Sequence, residues 1–435
     1  MTAVSRGIDR IEVTFDDPNL VANAGLLLVA TLVVRLGLER LINTTVDLSD
    51  RVGGALPGRK VLTLVHAMVA GGSHIDHADV LRAGATQSVL PHRVMAPSTL
   101  GTFLRAFTFG HVRQLDRVLA VALRRAWALG AGPGPDRCVV DLDSTICEVC
   151  GKAKHGAGYG YTKKLGYHPI LATRAATGEL LHVRMRRGSA NTQRGTKRFV
   201  CELVARLRRS GATGQLVMRF DSGFWSNATI ATLSQLGVGY TMGVRMVKSV
   251  VSAVSAIDEE AWTPIAYTMD GEAEVAECTY KGRRLIVRRT RLVGRQATLW
   301  PEWRHFAFLT DQPGTATEVD AFHRAHATVE LAIRDLKEGA GLEHVPSGNF
   351  NANAAWLVCA ALAHNLIRWS ALLGELTPQD QLVVARTIRT RFLSLPGSLV
   401  NRSGTPTLRA PLEWPWAATF ERALGILRSL PPVPV

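Results

Sequence analysis

The sequence predicts an α/β protein in which a helical amino-terminal part leads into a mixed sheet flanked by helices and interrupted by a β-rich insertion. Three observations predict it. Apolar residues recur at helical spacing from 20 to 130. A breaker cluster, "GAGPGPD" at 130 to 136, ends that pattern. Beyond it, short β-type runs alternate with helical ones until about 312, where helices resume.

Along the chain, "GLLLVATLVVRLGLERLI", "VLTLVHAMVAGGSHIDHADVLRAG" and "FGHVRQLDRVLAVALRRAWALG" carry the helical period. The apolar run "AGLLLVATLVV" at 24 to 34 falls short of the ~18 residues of a membrane span, so a buried helix and no membrane partner are expected. Pro97 and Ser98 open a further helix, with a break expected at Gly110. This pair is either a DNA-reading helix-turn-helix or a plain helical hairpin. After the breaker, "RCVVDLDST", "YHPILATRA" and "ELLHVRMRR" read as strands and "TKRFVCELVARLRRSG" as a helix. The strand "QLVMRFDSG", the helix "NATIATLSQLG" and the strand "GYTMGVR" complete a mixed order. From 247 to 312, "EAEVAECTY", "RRLIVRRTRLV" and "HFAFLTD" are β-type, before "TEVDAFHRAHATVELAIRDLKEG" restores the helix.

A chain of 435 residues, 47% hydrophobic and 20% charged, has material for two or three domains with cores, which excludes a disordered chain. A net charge of +15 points to a polyanionic partner, nucleic acid first. Six scattered cysteines with no secretory leader predict reduced thiols in the cytoplasm.

The stretch "VVDLDSTICEVCGKAKHGAGYG", 139 to 160, offers three chemistries. Cys147, Cys150, His155 and His168 contain half of a zinc site, but the histidine spacing fits no usual knuckle. The glycines lack the Lys-Ser or Lys-Thr ending of a phosphate loop. Two aspartates remain: alternation puts Asp141 and Asp143 on one face of a strand, at the carboxyl end where α/β sheets build sites. "QLVMRFDSGFWS" repeats the arrangement with Asp221. A third carboxylate, Glu330, sits on a helix whose stripe also holds His323, His326, Arg334 and Lys337. That stripe suits a phosphate-and-metal face; a surface helix with Glu330 paired to Arg334 is the alternative. Three such carboxylates can hold two hard ions, Mg²⁺ or Mn²⁺, that take few protein ligands and leave room for phosphate oxygens.

With "DLDST" at 141 to 145, "GAGYGYTKKLGYHP" at 156 to 169, "RFDSGF" at 219 to 224 and "VELAIRDLKEGAGLEHVPSGNFNANAAWLVCAALAHNLIRW" at 329 to 369, the chain resembles a DDE transposase of a bacterial insertion sequence. The chain is similar to insertion-sequence family 1380, and "PSTLGTFLRAFTFGHVRQLD" extends the resemblance into the amino-terminal part. The resemblance implies an RNase H-like, retroviral-integrase type of catalytic fold. It makes Asp143, Asp221 and Glu330 the catalytic and metal-binding carboxylates, with Asp141 as the fallback for the first. Related enzymes carry Tyr, two residues, Arg, three residues, Glu, six residues, Lys. Glu330 and Lys337 keep that spacing, while His323 and His326 stand at the tyrosine and arginine positions.

His323, His326, Arg334 and Lys337 are thus expected to bind DNA phosphates, the histidines with pKa values raised above ~6.5 by their anionic partner. Basic residues between Lys281 and Arg295, and those of "RMRRGSANTQRGTKR", are expected along the DNA path. Trp300 and Trp303 either pack or stack on an extruded base. The implied organisation is a helical DNA-binding domain over 1–130 and the first part of the catalytic domain over 137–246. The β-rich insertion over 247–312, the last catalytic helices over 313–375 and a helical carboxyl-terminal part over 376–435 follow. The implied partner is double-stranded DNA, element ends and target alike, bound by a homodimer acting in the bacterial cytoplasm at the nucleoid. A DNA-binding protein without catalysis and a structure-specific nuclease of the same fold are the rival readings.

Overall fold

The structure, a computed structural model, describes residues 8, 11–160, 162–267, 271–292, 303–378 and 382–433. Helices come first: α1 (Leu26–Arg35), α2 (Leu38–Thr45), α3 (Pro57–Val69), α4 (Pro97–Arg105) and α5 (Phe109–Ala126). The break expected at Gly110 falls earlier, at 106–108, because Thr108 caps α5. Its hydroxyl accepts the His111 N–H while the His111 ring accepts the Thr108 N–H, so Gly110 lies inside the first turn.

After the breaker come β1 (Cys138–Ser144), β2 (Ile170–Arg174), β3 (Leu180–Arg184), helix α6 (Thr196–Arg209), β4 (Leu216–Phe220), helix α7 (Asn227–Gln235) and β5 (Gly239–Val244). Their order in the sheet is β3-β2-β1-β4-β5. Strands β1, β4 and β5 run parallel, and β2 is antiparallel to β1 and β3. The insertion does not form a separate layer. Its strands β6 (Gly271–Tyr280), β7 (Arg283–Leu292) and β8 (Arg304–Thr310) continue the same sheet, because β8 pairs antiparallel with β5. A small core of Val275, Ile286, Phe308 and Val319 seals it against the next helix.

That helix was expected to be continuous. It is α8 (Ala316–Arg324), a 3-10 turn over Ala325–Ala327, and α9 (Thr328–Gly339). The longest helix, α10 (Phe350–Leu373), has the length and composition to cross a membrane, yet 94% of its most apolar window is buried inside the protein. It packs against α1, α3, α4 and α5, and also against β3 and α9. The hydrophobic core therefore runs without a break across 130–136. In the carboxyl-terminal part, expected to be helical, strands Gly397–Arg402 and Thr405–Arg409 precede α11 (Ala417–Ser429). Ser403 and Gly404, with φ of 49° and 84°, make the two-residue turn whose twist suits a hairpin.

One polar contact ties α10 to the sheet. The buried Asn365 donates its amide to Leu180 O at 2.8 Å and accepts Leu180 N–H at 2.7 Å, closing the backbone at the start of β3. Asn365→Ala leaves both groups buried and unpaired, so it should cost about 2–4 kcal/mol. A lower urea midpoint with an unchanged m-value checks it.

Candidate active site

Two rows of register partners cross the parallel strands. Asp141 on β1 lies opposite Arg219 on β4, which lies opposite Thr241 on β5. Two residues further along, just past the last paired positions Leu142, Phe220 and Met242, Asp143 and Asp221 share one cleft, with the Gly243 backbone against Asp221 and Ser222. The first row fastens the helical segment above it. Asp141, fully buried, accepts Arg219 Nε at 2.6 Å and Nη2 at 2.8 Å, and faces His326 Nδ1 at 2.9 Å. Arg219 Nη1 donates to Phe322 O at 2.7 Å, and Thr241 Oγ1 bonds His323 Nδ1 at 2.7 Å.

The second row is open. Asp143 accepts the Ser144 N–H at 2.6 Å, and Asp221 accepts the Gly223 N–H at 3.1 Å as it starts a 3-10 turn. Among the described residues neither aspartate forms an ion pair. Burial, then the charges of Asp221 and Glu330, push the Asp143 carboxyl up to about 6, against the pull of the Ser144 N–H and His326. Burial also raises Asp221, opposed by His326, two backbone N–H groups and Arg245. Gly243 keeps the row compact, since a Cβ there would stand 2.8 Å from Ser222 N.

The structure brings Asp143, Asp221 and Glu330 within electrostatic reach of one another. A cleft of about 440 Å³ holds Asp143 and Asp221, and one of about 1180 Å³ holds Asp221 and the exposed Glu330. Asp221 and Arg245 line both. No three His, Cys, Asp or Glu side chains among the described residues stand close enough to hold one ion together.

The phosphate contacts expected from the helical stripe need correction. His323 stacks on Phe308 at 4.1 Å besides bonding Thr241, and burial pushes its pKa down to about 3 rather than up. It is neutral at pH 7. His326 is spent on Asp141, and Lys337 donates to Ile146 O at 2.8 Å. His326, just before the Glu330 helix, and Lys337, near its end, thus tie that helix to Asp141 on β1 and to Ile146 just beyond it, while His323 ties α8 to β5. Arg334 alone of the four is exposed and without a partner among the described residues.

The basic strand β7 is also largely neutralised from within. Arg284 pairs with Glu277, Arg288 with Asp320, Arg289 with Glu259 and Glu274, and Arg291 with Glu272. Glu272, Glu274 and Glu277 on the paired strand β6 supply three of these partners, and Asp320 on α8 and Glu259 supply the other two. Trp303 lies under Arg289 and Arg291, 4.5 and 4.4 Å from its ring, so it packs. Trp300 and Arg295 lie outside the described residues. Cys147 is buried with its thiol pushed to about 12 and Cys150 is exposed, while the His168 ring bonds Ser144 Oγ and Ala190 O, so no zinc site assembles. Sequence reasoning missed Arg245, although it follows "GYTMGV" directly, at the end of a parallel strand where sites are built.

The family described as Transposase DDE domain group 1 matches residues 5–432. No curated protein matches. Among solved structures, the cryo-EM structure of piggyBac transposase synaptic complex with hairpin DNA is similar, at 12% identity and a TM-score of 0.48. The similarity covers 86% of this chain and 79% of that one.

Proposed function

The chain belongs to the Transposase DDE domain group 1 family, and on that premise we propose that it binds the ends of a bacterial insertion sequence of family 1380, cuts the DNA there and joins the freed 3′-hydroxyls to target DNA. The observation that carries this reading is the pair Asp143 and Asp221, together in one cleft at the carboxyl ends of two parallel strands, desolvated, raised in pKa and forming no ion pair among the described residues. The strand order β3-β2-β1-β4-β5 with β2 antiparallel supports an RNase H-like core.

The donor set fits a hard divalent cation. Unpaired desolvated carboxylates repel each other until a cation sits between them, and Asp141, bound by Arg219, does not offer such oxygens. Asp143 and Asp221 would hold one Mg²⁺ or Mn²⁺, and Glu330 would join Asp143 or Asp221 around a second. When bound, such ions supply activation of the attacking oxygen and stabilisation of the leaving one. The chain's own groups do the rest. Arg245 offers a positive charge to a phosphate entering beside Asp221, and Tyr159 and residues 189–192 line the same cleft. His326 and Lys337 fix the height of Glu330 above the sheet. The basic chain acts in the cytoplasm on double-stranded DNA, as a homodimer across two ends.

Duplexes carrying the inverted repeats that flank this reading frame test the proposal, incubated with the full chain and Mg²⁺. Strand cuts at the repeat ends and joined products are expected. Cuts without joining would make the protein a nuclease, and binding without cuts a non-catalytic DNA-binding protein.

A further inference from the structure

Beside the aspartate cleft, on the other side of residues 189–192, lies a second cavity of about 300 Å³. Arg184, Arg186, Arg187 and Arg194 line it, with Ile170 and Phe199. Its volume equals that of about ten waters, enough for a phosphate and its neighbouring sugar.

Arg186 is the built part of this site. It is 8% exposed, its Nε donates to His168 O at 2.8 Å, and its Nη1 donates to the carbonyls of Asn191, Thr192 and Arg194. Its Nη2 is buried without a hydrogen-bond partner among the described residues, which leaves a charged donor uncompensated beside the cavity that Arg186 lines. Burial lowers this guanidinium to about 10, so it stays charged at pH 7. The side chains of Arg187 and Arg194 are exposed and make no hydrogen bond or ion pair among the described residues. Arg184 is shared with Glu202, the acid of this region, which also pairs with Arg113 and Arg198. Helix α6 begins at the cavity with Gly195 at φ 80°, without a side-chain cap and without an acidic residue in its first turn. Its positive end is therefore not neutralised locally.

We propose that this arginine cavity is a phosphate site that holds one backbone phosphodiester of the DNA strand whose neighbouring segment enters the Asp143–Asp221 cleft. The geometry links the two places, since Ala190 lines both and the loop that Arg186 holds by its carbonyls forms the wall between them. The His168 ring spans from Ser144, next to Asp143, to Ala190 O. A phosphate seated on Arg186, Arg187 and Arg194 thus fixes the register of the strand. The DNA source of the phosphate rests on the function proposed above; the anion site itself rests on the cavity.

The test compares the full-length wild type with Arg187→Gln/Arg194→Gln, whose side chains support nothing in the fold. Arg402→Gln/Arg409→Gln, two exposed positions on the carboxyl-terminal hairpin, removes the same charge elsewhere. Inorganic phosphate is followed by its phosphorus resonance, and duplex DNA affinity is followed against salt. Broadening of the phosphate line by wild type and the hairpin control, lost in Arg187→Gln/Arg194→Gln, is expected. The slope of log K against log salt for DNA should fall in magnitude by about 1, one phosphate contact, relative to the hairpin control. Equal behaviour of the two double variants in both measurements overturns the site. Loss of phosphate broadening with DNA binding equal to the control overturns the DNA assignment and leaves a site for free phosphate. Should wild type bind no duplex at all, the DNA function fails, and the phosphate line alone decides for or against the cavity.

Discussion

If the proposed assignment holds, alanine at Asp143, Asp221 or Glu330 is expected to slow strand cleavage by about 10³-fold or more, because each variant removes a proposed metal ligand that would act only with the other two. DNA affinity without divalent cation should move the other way. All three carboxylates line clefts into which the proposed reaction would bring phosphates, and Asp143 already carries a penalty from its acidic neighbours. Removing one negative charge lowers the repulsion, so duplex binding in EDTA should be equal to wild type or tighter. Cleavage of an end-labelled duplex and gel-shift titration in EDTA check the two halves. Glu330→Ala cutting at the wild-type rate would take the helix carboxylate out of the site and leave the two aspartates alone.

The strand ends were legible because their signal is local. An apolar run ending in aspartate, then Ser-Thr or Ser-Gly, sets register and turn together, and both "DLDST" and "RFDSG" land where alternation puts them. The helix stripe was legible as spacing but not as contact. His323, His326 and Lys337 do share a face, yet that face points at the sheet. Asp141, Thr241 and Ile146, their partners, are 185, 82 and 191 residues away in sequence. Long-range hydrogen bonds of this kind have no periodic trace. The arginines of β7 misled for the same reason, because their counter-charges lie on β6 and in Glu259 and Asp320 rather than within their own strand. The hairpin at 397–409 leaves little trace in the sequence beyond its Ser403-Gly404 turn signal, because its strands are short and only partly buried.

Opposite stability changes are expected from Asp141→Asn and Asp143→Asn, although the two residues are neighbours on one strand face. Asp141 neutralises Arg219, itself 3% exposed, and anchors His326. Its replacement leaves a buried guanidinium without its anion, which costs about 3–5 kcal/mol, and frees the helical segment that carries Glu330. For Asp143 the sign reverses. Its folded pKa is raised from 3.8 to about 6, so the stability contribution of the protonated form is fully present below 3.8 and is lost as pH rises through about 6. At pH 7.5 without divalent cation the ionised form is a burden, and Asp143→Asn, neutral at every pH, should be more stable than wild type by on the order of 2 kcal/mol. Near pH 4 that advantage should vanish. Urea unfolding in EDTA at the two pH values reads both changes. A stable, inactive Asp141→Asn together with a destabilised Asp143→Asn would exchange their roles, making Asp141 the first metal ligand and Asp143 the structural anion. The bidentate Arg219 fork on Asp141 argues against that exchange, because a carboxylate held by a guanidinium on both oxygens has little left to offer a cation.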